Sequence, residues 1–253
     1  MKNEKEYHAS WSTCEGRPEM TFLLSIDDTD SLDSRGTGRL ARAIAETLGQ
    51  EYPVIAVTRH QLFVHESIPY TSHNSCAVIH IGPCAPEHGE RIFSLACDLM
   101  RGDFVEGSDP GIAIAHIGDV TREMVTFGQD AKRKVLTQEM ARTLAKKCSI
   151  RLEGLGGTED GVIGAMAGIG LASTGNDGRF IQKGRIRDIR GPVPAEVLLE
   201  AGIDMILTVE GVPVTSGIIH VQEGKSVKPC PVMGKAVLFV EERNGTLYAV
   251  KRD

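Results

Sequence analysis

Phe22-Leu23-Leu24-Ser25-Ile26-Asp27-Asp28-Thr29-Asp30-Ser31 is an apolar run that ends in three carboxylates within four residues. A short Leu/Ile run of this kind predicts a buried strand, with the acids at its C-terminal end. Arg35, Gly36, Thr37 and Gly38 follow, and then a helical pattern begins. Strand end, acidic loop, glycine turn and helix start therefore meet at one place. Open α/β folds bind their ligands at such places.

Clustered carboxylates repel one another and call for a cation. Magnesium takes one or two carboxylates together with phosphate oxygens. Asp27, Asp28 and Asp30 are the candidate metal ligands. Helix-start amides at residues 36–38 suit a phosphate, and Arg35 or Arg39 supplies positive charge. The plainer reading is an Asx-turn and a helix cap; three acids directly after a core strand favour the functional one. Residues 28–32 miss the last position of the haloacid-dehalogenase motif, and no Walker A loop is present. Residues 36–41, Gly-Thr-Gly-Arg-Leu-Ala, fit the dinucleotide fingerprint, although an acidic loop separates them from the strand. A Rossmann oxidoreductase therefore stands as a competitor.

Asp27-Asp28-Thr29-Asp30-Ser31 resembles the opening of the archaeal agmatinylcytidine synthetase family, which modifies the anticodon of an isoleucine tRNA using ATP. Residues 68–78 resemble its Ile-Pro-Tyr segment, and residues 161–170 its glycine-rich helix start. The Asp109-Pro110-Gly111 turn resembles an Asn-Pro-Gly turn there. The resemblance runs from about residue 20 to 170 and more loosely beyond. It implies a kinase-like ATP-binding domain followed by a ferredoxin-like one, with no counterpart of the family's OB and zinc-ribbon domains. It also implies Thr37 as the residue that receives phosphate, reached across a gap in the match. Gly156, Gly157, Gly161 and Gly164 become a nucleotide-facing loop under the resemblance; by themselves they read equally as tight helix packing.

The 253 residues can bury one large core or two modest ones. Apolar content of 41% and charged content of 25% are ordinary for a globular chain. No run reaches membrane-span length, and the first 19 residues are polar, without a signal core. The six cysteines show no Cys-x-x-Cys spacing and read as buried thiols of a reducing compartment, so the expected location is the cytoplasm. A net charge of −6 argues against a nucleic-acid surface. tRNA is thus a partner that the resemblance allows and the charge disfavours; a homo-oligomer is compatible with the sequence.

Periodicity predicts a helix over 36–49, strands over 53–63 and 75–81, a helix over 87–101 and a strand over 112–117. With the first strand this makes a βαββαβ unit, typical of ferredoxin-like sheets. A long helix is expected over 129–147 with Val135, Leu136, Met140, Leu144 and Ala145 as its apolar stripe. A short strand over 150–152, a glycine turn and a helix over 162–172 follow. The last third reads as strands over 180–189, 205–211, 217–221, 236–242 and 246–251, with a short helix over 194–201. The expected fold class is α/β (α+β): a ferredoxin-like sheet extended by further helices, with a mostly β second domain. Expected units are a leader over 1–19, an ATP-binding domain over 20–175 and a smaller domain over 176–253.

Arg59, near the end of a core strand, is placed to offset phosphate charge or to pair with a surface acid. Arg185 and Arg187 alternate on a predicted strand face that would meet phosphate; a solvated face is the commoner outcome. Cys76, His80 and Cys84 are read as core rather than zinc ligands. Together these residues lead to a reading as magnesium–ATP-dependent phosphoryl or nucleotidyl transfer to an unidentified small acceptor. The alternatives are a non-catalytic nucleotide-binding module and the tRNA-cytidine ligase itself.

Overall fold

A computed structural model describes residues 20–29, 36–68, 74–222 and 224–251. Asp30, Arg35, the leader and residues 69–73 of the Ile-Pro-Tyr segment lie outside these residues. β1 (Met20–Asp27), α1 (Thr37–Leu48), β2 (Val54–Gln61), β3 (Ser75–Cys84), α2 (His88–Gly102) and β4 (Gly111–His116) follow in the expected βαββαβ order. β5 (Arg151–Gly154) and β6 (Arg179–Gln182) extend the two edges, giving the sheet order β5-β4-β1-β3-β2-β6. Every pairing in this sheet is antiparallel. A dinucleotide fold needs a mostly parallel sheet, so the Rossmann reading of residues 36–41 falls.

The period of two along β1 divides the core. Phe22, Leu24 and Ile26 face α1 and α2, and Leu23 packs on the opposite side. α1 answers with Leu40, Ala41, Ile44, Ala45 and Leu48, one stripe of a 3.6-residue helix. Full burial of an Ile or Leu is worth roughly 1.5–3 kcal/mol, so these contacts anchor the helix that begins beside the acidic loop.

The other face is covered by α3 (Arg122–Asp130), α4 (Gln138–Lys147) and α5 (Gly161–Ser173). The single helix expected over 129–147 is two helices joined by a turn. Thr121 and Thr137 each accept a hydrogen bond from the backbone N–H three residues on, and each starts a helix. The buried side of α4 is therefore Ala141 and Ala145, with Leu136 buried in the turn before it. Val135 and Met140 stand 48% and 47% exposed. α5 is apolar all round because it is buried all round, between the sheet and α3.

β7 (Pro192–Pro194), β8 (Met205–Thr208), β9 (Ile218–His220), β10 (Cys230–Val232), β11 (Lys235–Arg243) and β12 (Thr246–Val250) form a second, mixed sheet with α6 (Ala195–Glu200). This is the mostly β last third. The strand expected over 180–189 stops at Gln182. Gly184 takes a positive φ of 48°, and the Arg185 N–H donates to the Ala201 carbonyl at 2.7 Å. The chain turns there, so Arg185 and Arg187 do not share a strand face. β6 lies past residue 175 but completes the first sheet, where Phe180 donates its N–H to the carbonyl of Pro229, the residue before β10, at 2.8 Å. No helix among the described residues is long and apolar enough to cross a membrane.

Candidate functional site

At the C-terminal end of β1 a cavity of about 150 Å³ opens between the first sheet, α5 and the turn joining α3 to α4. Asp27, Asp28 and Thr37 line it from the acidic loop and the start of α1. Gly161, Ile163, Gly164 and the preceding Asp160 line it from α5. Leu62, Ile68, Ala131, Val135 and Leu136 give it an apolar wall; Ser67, Asn74, Ser75 and Lys134 add polar groups.

The geometry of the acids follows from the fold. Asp27 shares the α5 side of β1 with Leu23 and Ser25, and it is 9% exposed. Its carboxylate occupies the space above Gly164, where a Cβ would collide with it. The first turn of a helix favours a negative charge, so this placement suits an anion. Asp28 adopts a left-handed backbone with φ of 50°, a region Asp tolerates better than most residues. The Thr29 hydroxyl is buried with no hydrogen-bond partner among the described residues. Gly36, φ 82°, immediately precedes α1, which has no side-chain cap and no acid in its first turn.

Of the residues singled out in the sequence, Asp27, Asp28, Thr37, Gly161 and Gly164 come together in this cavity. Gly36 and Gly38 flank Thr37 without lining it. Arg59 lies behind the wall, where its Nε donates to the Ser75 hydroxyl at 2.7 Å. Gly156 packs beside Phe104, and Gly157, at φ 60°, packs against Ser108 and Asp109. Asp109 is a loop clamp: its carboxylate accepts the Thr158 N–H, and its carbonyl accepts the Gly161 N–H at 2.8 Å. The glycines of α5 also serve packing. A Cβ at Gly168 would strike the Ser25 hydroxyl, and one at Gly170 the Met124 carbonyl. Asp30 and Arg35 lie outside the described residues.

Sequence reasoning missed Lys134, which reaches Asp130 at 3.0 Å, and the whole apolar wall of the 131–136 turn. The available signal was Thr137, a capping residue inside the run read as one helix.

Arg39 stands on the outer side of α1 with Arg42. Gly38 packs against Ile181; the Arg42 guanidinium donates to the Gly38 carbonyl at 2.7 Å and Arg187 to the Ile181 carbonyl at 3.4 Å. Burial and then the charges of Arg187 and Arg39 lower the pKa of Arg42. A buried polar chain runs beneath the other side of the sheet. His80 Nε2 and His60 Nε2 each lie 2.8 Å from the Thr58 hydroxyl, and His60 Nδ1 lies 2.9 Å from Asp177. A carboxylate only accepts, so His60 carries its proton on Nδ1. Thr58 then donates to His60 and accepts from His80. Burial, and then the neighbouring His60, lowers His80 to a pKa of about 3, keeping it neutral. Burial raises the Cys76 thiol well above its usual value, helped by the charges of Asp27 and Asp177.

No family model and no curated protein matches the chain. Solved structures do match it. Apo TiaS, an isoleucine-tRNA agmatidine synthetase, superposes with a TM-score of 0.51 at 22% identity, over 60% of this chain and 35% of that one. The fold resembles part of TiaS. The complex of TiaS with its isoleucine tRNA and ATP matches with a TM-score of 0.52 at 22% identity, over 60% of this chain and 36% of TiaS. A tRNA fluorescent labeling enzyme matches with a TM-score of 0.50 at 23% identity, over the same shares of the two chains. The chain thus spans little more than a third of the length of these proteins.

Proposed function

We propose that the cavity at the end of β1 binds magnesium–ATP, and that the chain uses it for phosphoryl or nucleotidyl transfer to a small acceptor. The observation that carries this reading is the meeting of Asp27 and Asp28 with the uncapped start of α1 in one cavity with an apolar wall. Two carboxylates are hard oxygen donors of the kind magnesium takes alongside phosphate. When bound, the metal supplies charge neutralisation on the phosphates. Asp27 and Asp28 would hold it directly or through water, and Asp30, outside the described residues, is the third candidate ligand. Residues 36–38 and the start of α5 flank the phosphates. Arg59 adds positive charge from behind the wall; Arg39, on the outer side of α1, does not line the cavity, and Arg35 lies outside the described residues. The apolar wall excludes water and receives the base. The likeness to TiaS, solved with an isoleucine tRNA and ATP, supports the nucleotide part of this reading. It also makes an isoleucine-tRNA cytidine ligase the second reading.

In this reading residues 20–175, with β6 as an added edge strand, are the ATP-binding unit, and the second sheet is a separate smaller unit. Thr37 receives phosphate from ATP, and its place in the cavity supports that role. The test is calorimetric titration of ATP with and without magnesium into wild type and Asp27→Asn/Asp28→Asn. Magnesium-dependent binding that the double variant loses is expected; equal affinity in the two proteins overturns the reading. Label from γ-labelled ATP that disappears in Thr37→Ala separates a transferase from a non-catalytic binding module.

A further inference from the structure

The cavity wall contributed by residues 131–136 is an irregular turn, and Asp177, far away in sequence, ties it down. Lys132 of that turn donates to one carboxylate oxygen of Asp177, and His60 of β2 donates to the other at 2.9 Å. His60 is itself locked through Thr58 to His80. A further tie joins the turn to the β2 side, the Phe63 N–H donating to the Ala131 carbonyl at 2.9 Å. Asp177 is held in turn by its own segment. Asn176 accepts the Met233 N–H at 2.8 Å, and the Gly175 carbonyl accepts the Gly234 N–H at 2.9 Å. A side chain at Gly178 would run into the Arg59 carbonyl and the His60 ring, so glycine there lets Asp177 come close. Burial works to raise the Asp177 pKa, but the hydrogen bonds from His60 and Lys132, with the Lys132 charge, outweigh it and hold the carboxyl below its ordinary value.

We propose that Asp177 is a positioning residue for this cavity: it bridges His60 of the sheet to Lys132, and so fixes the Ala131, Lys134, Val135 and Leu136 wall against which a ligand packs. The inference rests on reading the cavity as the nucleotide site. A carboxylate that merely satisfied His60 would leave the wall unaffected by loss of its second partner.

The test uses full-length protein in Asp177→Asn, Lys132→Met and Lys132→Arg forms. Asn at 177 still accepts from His60 but loses the charge pair; Met at 132 removes only the ammonium. Without ligand, amide hydrogen exchange over 131–136 should rise about tenfold in Asp177→Asn and Lys132→Met, while β3 and α5 stay as in wild type. Magnesium–ATP should bind about tenfold more weakly in both, and Lys132→Arg should restore both readouts. If Asp177→Asn does not fold, Lys132→Met carries the comparison alone. Unchanged exchange over 131–136 overturns the proposal, as does a rise spread evenly through the chain. Failure of wild type to bind magnesium–ATP sinks the nucleotide reading instead, and the exchange measurement still decides the role of Asp177.

Discussion

The Asp27 carboxylate fills the space that a side chain at Gly164 would need. One helical turn later, Gly168 makes the same concession to Ser25, so α5 lies flat on β1 and the acid stays at the mouth of the cavity. A methyl at either position has to push the strand's side chains aside. Gly164→Ala is expected to cost roughly 1–3 kcal/mol in stability and to abolish magnesium–ATP binding by displacing Asp27. Gly170→Ala strikes the Met124 carbonyl and should cost as much without touching the site. Denaturant melts with calorimetry on both variants check this. Wild-type affinity in Gly164→Ala would detach Asp27 from ligand binding.

Asp28 combines a carboxylate in the cavity with a left-handed backbone. The two roles separate by substitution. Asp28→Gly keeps the backbone at little conformational cost and removes the charge, whereas Asp28→Ala adds about 1 kcal/mol of backbone strain. Both should lose magnesium-dependent binding, but only Ala should lower the melting temperature. A glycine variant that binds as wild type would assign Asp28 to turn geometry alone.

His80 sets a pH dependence. Its pKa falls from 6.5 to about 3 in the fold, mainly through burial. The unfolded chain therefore takes up a proton that the folded chain refuses. The contribution to stability is complete above about pH 6.5 and is lost as pH falls toward 3, at up to about 1.4 kcal/mol per pH unit. His80→Gln keeps an N–H donor for Thr58 and should flatten this part of the profile in urea melts. A slope identical to wild type would place the acid sensitivity elsewhere, with Asp177 the next group to test.

Transfer RNA should bind weakly at near-physiological salt, with a Kd above about 1 μM, because the chain carries a net charge of −6. The residual affinity should reside in Arg42 and Arg187, which converge around the Gly38–Ile181 contact. Filter binding of unmodified isoleucine tRNA against an unrelated tRNA, across a salt series, measures it. Tight binding that prefers the isoleucine tRNA and falls in Arg42→Ala/Arg187→Ala would make the tRNA ligase the leading function.

The sequence by itself determined the acidic end of β1, the βαββαβ order and the strand-rich last third. Each rests on a pattern shorter than one element: apolar alternation, a 3.6-residue stripe, a glycine turn. It did not determine that residues 131–137 leave the helix, because Val135 continues the apolar period while Thr137, a short-range cap, interrupts it. The strand face of Arg185 and Arg187 failed for a related reason: the bond from Arg185 to Ala201 is tertiary and ends the strand. The glycines of α5 could be read as packing or as phosphate loop. Only the assembled sheet decided that Gly164 and Gly168 make room for Asp27 and Ser25. The bridge from His60 to Asp177 spans 117 residues, and no local periodicity can specify a contact that exists only once β2, the α3–α4 turn and the end of α5 have packed together.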